Sequence, residues 1–527
     1  MQQHHRLGLF RLAVFLASGE LVACSAYSSR SAVDRTPNTA PTGSGGGTDT
    51  PSGSTAGGGE KEVENQFGAP VATGRFVWVA NAQSGRVAYI DATTAEVHTT
   101  LAGNGPTTVA AIPKAGADIA IVLNARSSDA TLLSAHDGTI DTRDIAVAPG
   151  HNSWSIAHDG AWAIAWTDAR RVAMAPATQG FQDLSIIAVA HPERPATVLA
   201  VGYRPVAVAF SGDGSRAFAV TQDGITVITL GDAPSAIAEV PVSMDPLDDP
   251  GSRDVVITRD GNFALVRREA SSLITVVNLQ TQALTNVDLG AAVTDLDLAE
   301  DGAHAIAVAR DTGLVAVLSP ADAAGPTPFT SVTISDTTVG SVVAAHNAAL
   351  LYTNATAVDR LTILNLALAT PAYREVRLYA PVLAVFPNPA ATHAVVVHQS
   401  TSDGDAFSLV PLASGLPAKI VAVQAAPLAV AMSPANDRAV VTIRDDANKL
   451  AGVYVAKLPE LSVQFYALGS PPTAAGIVTG ANQAYVAQLH PEGRITLIDL
   501  ANGQVRTLTG FELGARVVTG SATQEPQ

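Results

Sequence analysis

From Phe76 to the C-terminus, short apolar runs return about every forty-five residues, ten times over. They are Phe76–Ala80 (FVWVA), Asp118–Leu123 (DIAIVL), Trp162–Trp166 (WAIAW), Ala217–Thr221 (AFAVT), Phe263–Arg267 (FALVR), His304–Ala309 (HAIAVA), Leu350–Asn354 (LLYTN), His393–His398 (HAVVVH), Arg438–Ile443 (RAVVTI) and Gln483–Gln488 (QAYVAQ). Runs this short, rich in branched residues and bounded by polar turns, predict strands buried on both faces rather than helices.

Within each repeat the signals keep one order. An apolar stretch comes first, often behind a proline, as in Pro205–Phe210 (PVAVAF), Pro381–Phe386 (PVLAVF) and Pro427–Met432 (PLAVAM). A tight turn follows, and in four repeats it carries Asp-Gly: Asp159-Gly160, Asp213-Gly214, Asp260-Gly261 and Asp301-Gly302. That pair suits the positive backbone angles of a hairpin turn. The strand named above comes next, then a polar loop, a third strand such as Val87–Asp91, Ile225–Leu230 or Ile495–Leu500, and a fourth such as Val97–Leu101, Thr197–Val201 or Val505–Leu508. Four antiparallel strands per unit describe a propeller blade, so the predicted fold is an all-β β-propeller of about ten four-stranded units. One large closed ring is the first expectation, and two smaller propellers the alternative, because single rings usually hold about four to eight blades. The first repeat reads as beginning at its second strand. Ala515–Thr519 (ARVVT) has first-strand character, so both chain ends are expected to complete one blade and remove an exposed edge.

Two stretches carry a family resemblance. Val77–Pro106, reading VWVANAQSGRVAYIDATTAEVHTTLAGNGP, resembles the YVTN-type repeat of lactonase-like and surface-layer β-propellers, and Thr197–Phe210 (TVLAVGYRPVAVAF) is similar to that family's joint between blades. The resemblance implies the architecture. By the same resemblance, a metal-dependent lactonase-like hydrolase with its site at the channel mouth is the alternative to a non-catalytic module, since such scaffolds host both.

The first residues concern address. Leu7–Ala17 is apolar apart from Gly8 and Arg11, too short for a permanent membrane helix, and Leu21-Val22-Ala23-Cys24 resembles the bacterial lipobox, after which the cysteine becomes the lipidated N-terminus. Cys24 is the chain's sole cysteine, and Ser25 beside it fits an outer-membrane destination. The expected organisation is a lipoprotein signal peptide over 1–23, a lipidated cysteine and disordered tether over 24–70, the propeller over 71–519 and a disordered tail over 520–527. Ser, Thr, Gly and Pro dominate the tether, which cannot bury enough apolar surface to order itself; its reach is roughly 40 Å.

Composition narrows the partners. The formal charge is −16 and lysine is confined to five positions, which argues against nucleic acid or a basic membrane-docking patch. Membrane attachment would run through lipid on Cys24, with the propeller acting as a monomer on an envelope protein, a glycan or a small ligand.

Candidate chemistry sits where strands end. If loops joining second to third strands share a face with those leading into each blade, that face collects Asn81, Asn124, Arg126, Arg170, Arg204, Arg253, Asp254, Arg267, Arg310 and Arg444, together with His151, His398 and His490. Such a mouth would suit an anionic or polar ligand or a protein rim; wet strand ends are polar in any case. Asp295 and Asp297 alternate with apolar neighbours in VTDLDL, so both carboxylates point to one side of a first strand. They are candidate channel carboxylates, able to hold a cation or to serve structurally. Asp245, Asp248 and Asp249 form an acidic turn without the spacing of a calcium loop. No nucleophile elbow, zinc helix or phosphate loop occurs, so no catalytic residue, metal ligand or cofactor is assigned; calcium or another divalent ion is the one cofactor the carboxylates leave open. The expected function is a lipid-anchored, non-catalytic binding module or scaffold of the cell envelope.

Overall fold

Both faces of the central strands are apolar, so each sheet must be covered on both sides, and the fold meets this by stacking sheets against one another. The structure, a computed structural model, describes residues 70–510 except 83, 137, 173–178, 244–252, 368–371, 403 and 414. Its strands form ten four-stranded antiparallel sheets, each paired in sequence order. Blades 1 to 10 run Val71–Leu101, Pro106–Ala146, Ser153–Ala200, Ala207–Val240, Arg253–Asp288, Asp295–Thr333, Ser341–Arg377, Val382–Val423, Pro427–Ala467 and Pro472–Thr509. First strands of successive blades lie side by side around the channel, while fourth strands, such as Thr139–Ala146 of blade 2, carry the exposed positions.

The core is divided among the seams. There are ten buried apolar clusters, and each joins two neighbouring blades. Trp78 and Val87 of blade 1 pack with Val122 and Leu133 of blade 2, and the series continues until Val478, Tyr485 and Ile495 of blade 10 pack with Val77, Val79 and Ile90 of blade 1. Ten seams for ten blades make a single closed ring, and the two-propeller alternative is set aside.

The way it closes differs from expectation. Blade 1 has a first strand of its own, Val71–Ala72, whose residues pair with Trp78 and Val77. Two residues suffice because Thr73 then accepts the indole N–H of Trp78 at 3.0 Å and donates to Asp118 of blade 2 at 2.5 Å. Ala515–Thr519, expected in that place, lies outside the described residues, as do the segments expected to be signal peptide and tether, with Cys24.

Each Asp-Gly pair forms the predicted turn between first and second strands, with glycine φ between 65° and 69°. Asp213 shows how such a turn is held: its carboxylate accepts from the Ser211 and Ser215 hydroxyls and the Ser215 N–H, which pulls its pKa down to about 2. Turns also interlock. A Cβ on Gly160 would lie 2.4 Å from the Pro113 carbonyl of blade 2, so glycine there serves close approach as well as backbone sign. Gly212 donates to the Arg259 carbonyl at 2.6 Å, and the Arg259 N–H donates to Gly302 at 3.1 Å, linking blades 4, 5 and 6 turn to turn.

Candidate functional site

The polar residues at the second-strand ends and blade entries, expected to face a ligand, in several cases turn inward instead. In seven blades a hydroxyl sits within the apolar part of the third strand: Thr131, Ser185, Thr226, Thr275, Thr362, Ser408 and Thr496, and all but Thr362 of blade 7, buried without a partner, are bonded. Asn124, only 1% exposed, donates to Thr131 at 2.9 Å, and Thr131 donates to Asp144 on the fourth strand at 2.7 Å. His398 meets Ser408 at 2.7 Å, Gln488 meets Thr496 at 2.6 Å, and His151 meets Ser185 at 2.9 Å. The linker arriving from the previous blade joins the same network, with Gly103, Ala148 and Gly202 donating their N–H groups to Thr131, Ser185 and Thr226. A buried hydroxyl costs free energy unless bonded, so these groups align strands and linkers rather than meet a ligand. His490 is likewise buried, its Nδ1 accepting from the Glu492 N–H at 3.2 Å, and Asn81 at the end of its strand accepts from Ser84 at 3.4 Å.

The arginines of the mouth follow a second pattern, bonding to main-chain carbonyls of neighbouring blades. Arg170, held by Asp168, also donates to the Val206 carbonyl at the start of blade 4. Arg253 of blade 5 reaches back to Thr221 and Gln222 of blade 4 at 3.0 and 2.6 Å. Arg267, 12% exposed, pairs with Asp254 and donates forward to Val293, just before blade 6, at 3.1 Å. Arg310 lies over Gly340 ahead of blade 7, where a Cβ would meet its Nε at 2.3 Å. Arg204 has a left-handed backbone at φ 52° and stacks its guanidinium near the rings of Phe181 and Tyr203, 6.0 Å from each centroid. Guanidinium groups suit this work, since several N–H donors fan out from one planar group and reach unpaired carbonyls at strand ends. Arg126 and Arg444 sit apart on blades 2 and 9; Arg126 is exposed, and Arg444 donates to Asp446 at 2.6 Å.

Asp295 and Asp297 stand on the channel wall, as their alternation predicts, and their partners are main-chain groups. Asp295 accepts the Val342 N–H and Asp297 the Ala344 N–H, each at 2.9 Å, on the first strand of blade 7. Each also accepts from the residue after it, Leu296 at 3.0 Å and Leu298 at 2.9 Å. Residues two apart on one strand have the same spacing as N–H groups two apart on the next, so the pair covers an otherwise unpaired inner edge. Removing one carboxylate exposes that dependence. Asp297→Ala is expected to destabilise the ring by about 1–3 kcal/mol, the cost of a buried donor left unsatisfied. Chemical denaturation with hydrogen exchange at Ser341–Ala345 would read the effect; an unchanged midpoint and unchanged exchange there would count against it.

The structure therefore gathers Arg170, Arg204, Arg253, Asp254, Arg267 and Arg310 along the arc of blades 3 to 6, linked blade to blade, and leaves Asn81, Arg126 and Arg444 elsewhere on the rim. Among the described residues no group of three or more His, Cys, Asp or Glu side chains is placed to hold a metal ion. The acidic turn with Asp245, Asp248 and Asp249 lies outside the described residues. One further signal is legible in the sequence: a Ser or Thr inside an apolar third strand, as in ATLL, LSII, ITVI and ITLI, accompanies each hydroxyl network, although LTIL of blade 7 carries the same pattern without one.

No protein-family profile and no curated protein matches the chain. Solved structures do show partial likeness. The dihydro-heme d1 dehydrogenase NirN, in complex with DHE, is 10% identical over 66% of this chain and 73% of its own, with a TM-score of 0.42. AztD from Citrobacter koseri is 12% identical over 58% and 84%, with a TM-score of 0.35. The Swd1 β-propeller domain from Myceliophteria thermophila is 10% identical over 50% and 87%, with a TM-score of 0.31.

Proposed function

We propose that this protein is a lipid-anchored binding module of the bacterial cell envelope, presenting one face of a rigid propeller on a long tether. The observation that supports this most is the use made of the mouth's charged groups. Arg170, Arg253, Arg267, Asp295 and Asp297 are engaged by neighbouring blades, so they stiffen a frame whose loops are free to vary. A rigid frame with variable loops loses little entropy on binding, which favours recognition of an envelope protein, glycan or small ligand. The hydrolase alternative needs carboxylates converging on a metal. Asp254 pairs with Arg267, and Asp295 and Asp297 accept backbone N–H groups, so the acids it would draw on have other partners.

Two experiments test the reading. With Cys24→Ala the protein is expected to leave the membrane fraction and lose palmitate labelling; retention in the membrane with the signal still removed would overturn the anchor. A photo-crosslinking residue in place of Arg126 or Lys449, on the mouth side, is expected to trap a partner in envelopes, whereas one at Ile420 on an outer strand is not. Equal trapping from both places, or from neither, would overturn the mouth as the binding face.

A further inference from the structure

Blades 9 and 10 leave a groove of about 430 Å³ between them, on the side of the ring away from the mouth. Its floor comes from the second, third and fourth strands of blade 9, and its wall is the Asp499–Gly503 turn between the third and fourth strands of blade 10. Two cations open onto it. Arg438, the first residue of one strand, lies directly opposite Lys457, the last residue of the next. Like charges opposed across a ladder repel, and here the repulsion is only partly offset. Asp437 takes one guanidinium nitrogen of Arg438 at 3.0 Å, while Lys457 makes no ion pair among the described residues. The Arg438 side chain is 16% exposed, and its Nε is buried without an acceptor. An anion seated in the groove would offset the repulsion between the two cations through charge-assisted hydrogen bonds.

The rest of the lining narrows the kind of anion. Ser462 and Gln464 supply groups that both donate and accept hydrogen bonds, as ring hydroxyls require, while the Asn502 amide is held within its own turn, its oxygen accepting the Gln504 N–H at 2.8 Å. Tyr466 adds a half-buried aromatic ring, and the absence of a side chain at Gly503 leaves its hydroxyl room, since a Cβ there would lie 2.8 Å from it. Asp499 also lines the groove, but its carboxylate accepts from the Ala501 and Asn502 N–H groups and the Asn502 amide at 2.8 to 3.2 Å, which commits it to the turn. The volume falls within the range of small-molecule sites, and a bare inorganic anion would leave most of it, with Ser462 and Gln464, unused.

We propose that this groove binds an acidic saccharide, with a sugar ring against Tyr466, its carboxylate between Arg438 and Lys457, and its hydroxyls on Ser462 and Gln464. The site shares no residue with the mouth, so it extends the binding-module reading to a second surface and stands or falls separately from the anchor and the mouth. Calorimetric titration of the full-length protein with tetragalacturonate, against the neutral galactose tetramer as matched probe, tests it. The acidic tetramer is expected to bind about tenfold or more tightly than the neutral one, with affinity falling as salt rises. Lys457→Gln is expected to weaken it by about tenfold, while the thermal midpoint stays level or rises as the repulsion with Arg438 is lifted. That stability readout separates loss of a ligand contact from misfolding, and Lys114→Gln, at an exposed lysine of blade 2 outside both the groove and the mouth, should leave the titration unchanged. Equal affinity for the two tetramers, no binding at millimolar sugar, or an unchanged titration with Lys457→Gln would overturn the proposal.

Discussion

Truncating Tyr485 to alanine is expected to lower the stability of the ring by about 3–5 kcal/mol, the range for removing a large aromatic side chain from a packed core. Tyr485 is fully buried in the cluster that joins the last blade to the first, beside Val77, Val79, Val478 and Ile495. Its hydroxyl points to the Pro70 carbonyl at 3.4 Å, and burial raises its pKa well above the usual tyrosine range. Among the described residues no strand from one end of the chain completes a sheet from the other end, so the described part of this seam is held by side-chain packing and a few polar contacts, among them the Arg506 donation to Thr94 at 3.3 Å. The cavity would therefore fall at the seam that, among the described residues, no linker between consecutive blades crosses. Denaturant titration should show the loss in stability, and hydrogen exchange should locate it, with blades 1 and 10 opening before blades 4 to 6. A drop below about 1 kcal/mol, or uniform opening around the ring, would mean that the closure does not depend on this packing.

Stability is also expected to fall by about 3 kcal/mol as pH drops from 6.5 to 4, with His151 the main cause. Burial lowers its pKa from 6.5 to about 4, and its hydrogen bonds favour the neutral ring. Thr167 donates to the Gly150 carbonyl at 2.9 Å, and Ser185 accepts the Ala148 N–H at 2.9 Å. That leaves the Thr167 oxygen to accept from Nδ1 at 3.3 Å and the Ser185 hydroxyl to donate to Nε2 at 2.9 Å. A proton on Nε2 would remove the acceptor that Ser185 uses. The sign follows from linkage. Above pH 6.5 neither state is protonated at this residue; between 6.5 and 4 the unfolded chain takes a proton that the native state refuses, so stability declines as pH falls. His398, also lowered by burial, acts in the same direction. The depressed carboxylates of the turns, such as Asp213 and Asp260, lose their contribution only below the ordinary aspartate value of 3.8, so the two windows separate. Calorimetric melts at pH 7.5, 5.5 and 4.5 should show the decline, and His151→Gln should flatten it. A His151→Gln variant with the same slope as the parent would remove His151 from this account.

Strand positions were legible because their cause is local. Runs such as WAIAW and HAVVVH can bury both faces only inside a stack of sheets, and Asp-Gly pairs can sit only where the backbone turns, so the predicted second strands, the four turns and fourth strands such as Val97–Leu101 coincide closely with those observed. Blade count also followed from the period. The candidate site was less legible, and the reason is directional. A polar residue at a strand end reads the same whether it faces water or a buried hydroxyl, and which it does depends on the blade beside it. Asn124, His151 and His398 read as rim residues in sequence and lie inside; Asp295 and Asp297 read as channel-wall residues and are, but the N–H groups they accept belong to a strand some 47 residues further on.

Sequence alone determined the repeat, the order of strands in each unit, the turn chemistry and the all-β class, since each rests on neighbouring residues and on backbone rules. Tertiary structure decided that ten units make one ring, that Val71–Ala72 supplies the first strand of blade 1, and that the mouth's arginines and aspartates bind blades to one another. It also decided that Arg438 and Lys457, unremarkable in sequence, meet across a ladder beside a groove. Those outcomes depend on how sheets stack and in what register, and stacking is settled by buried area and hydrogen-bond partners that lie a whole blade apart in the chain.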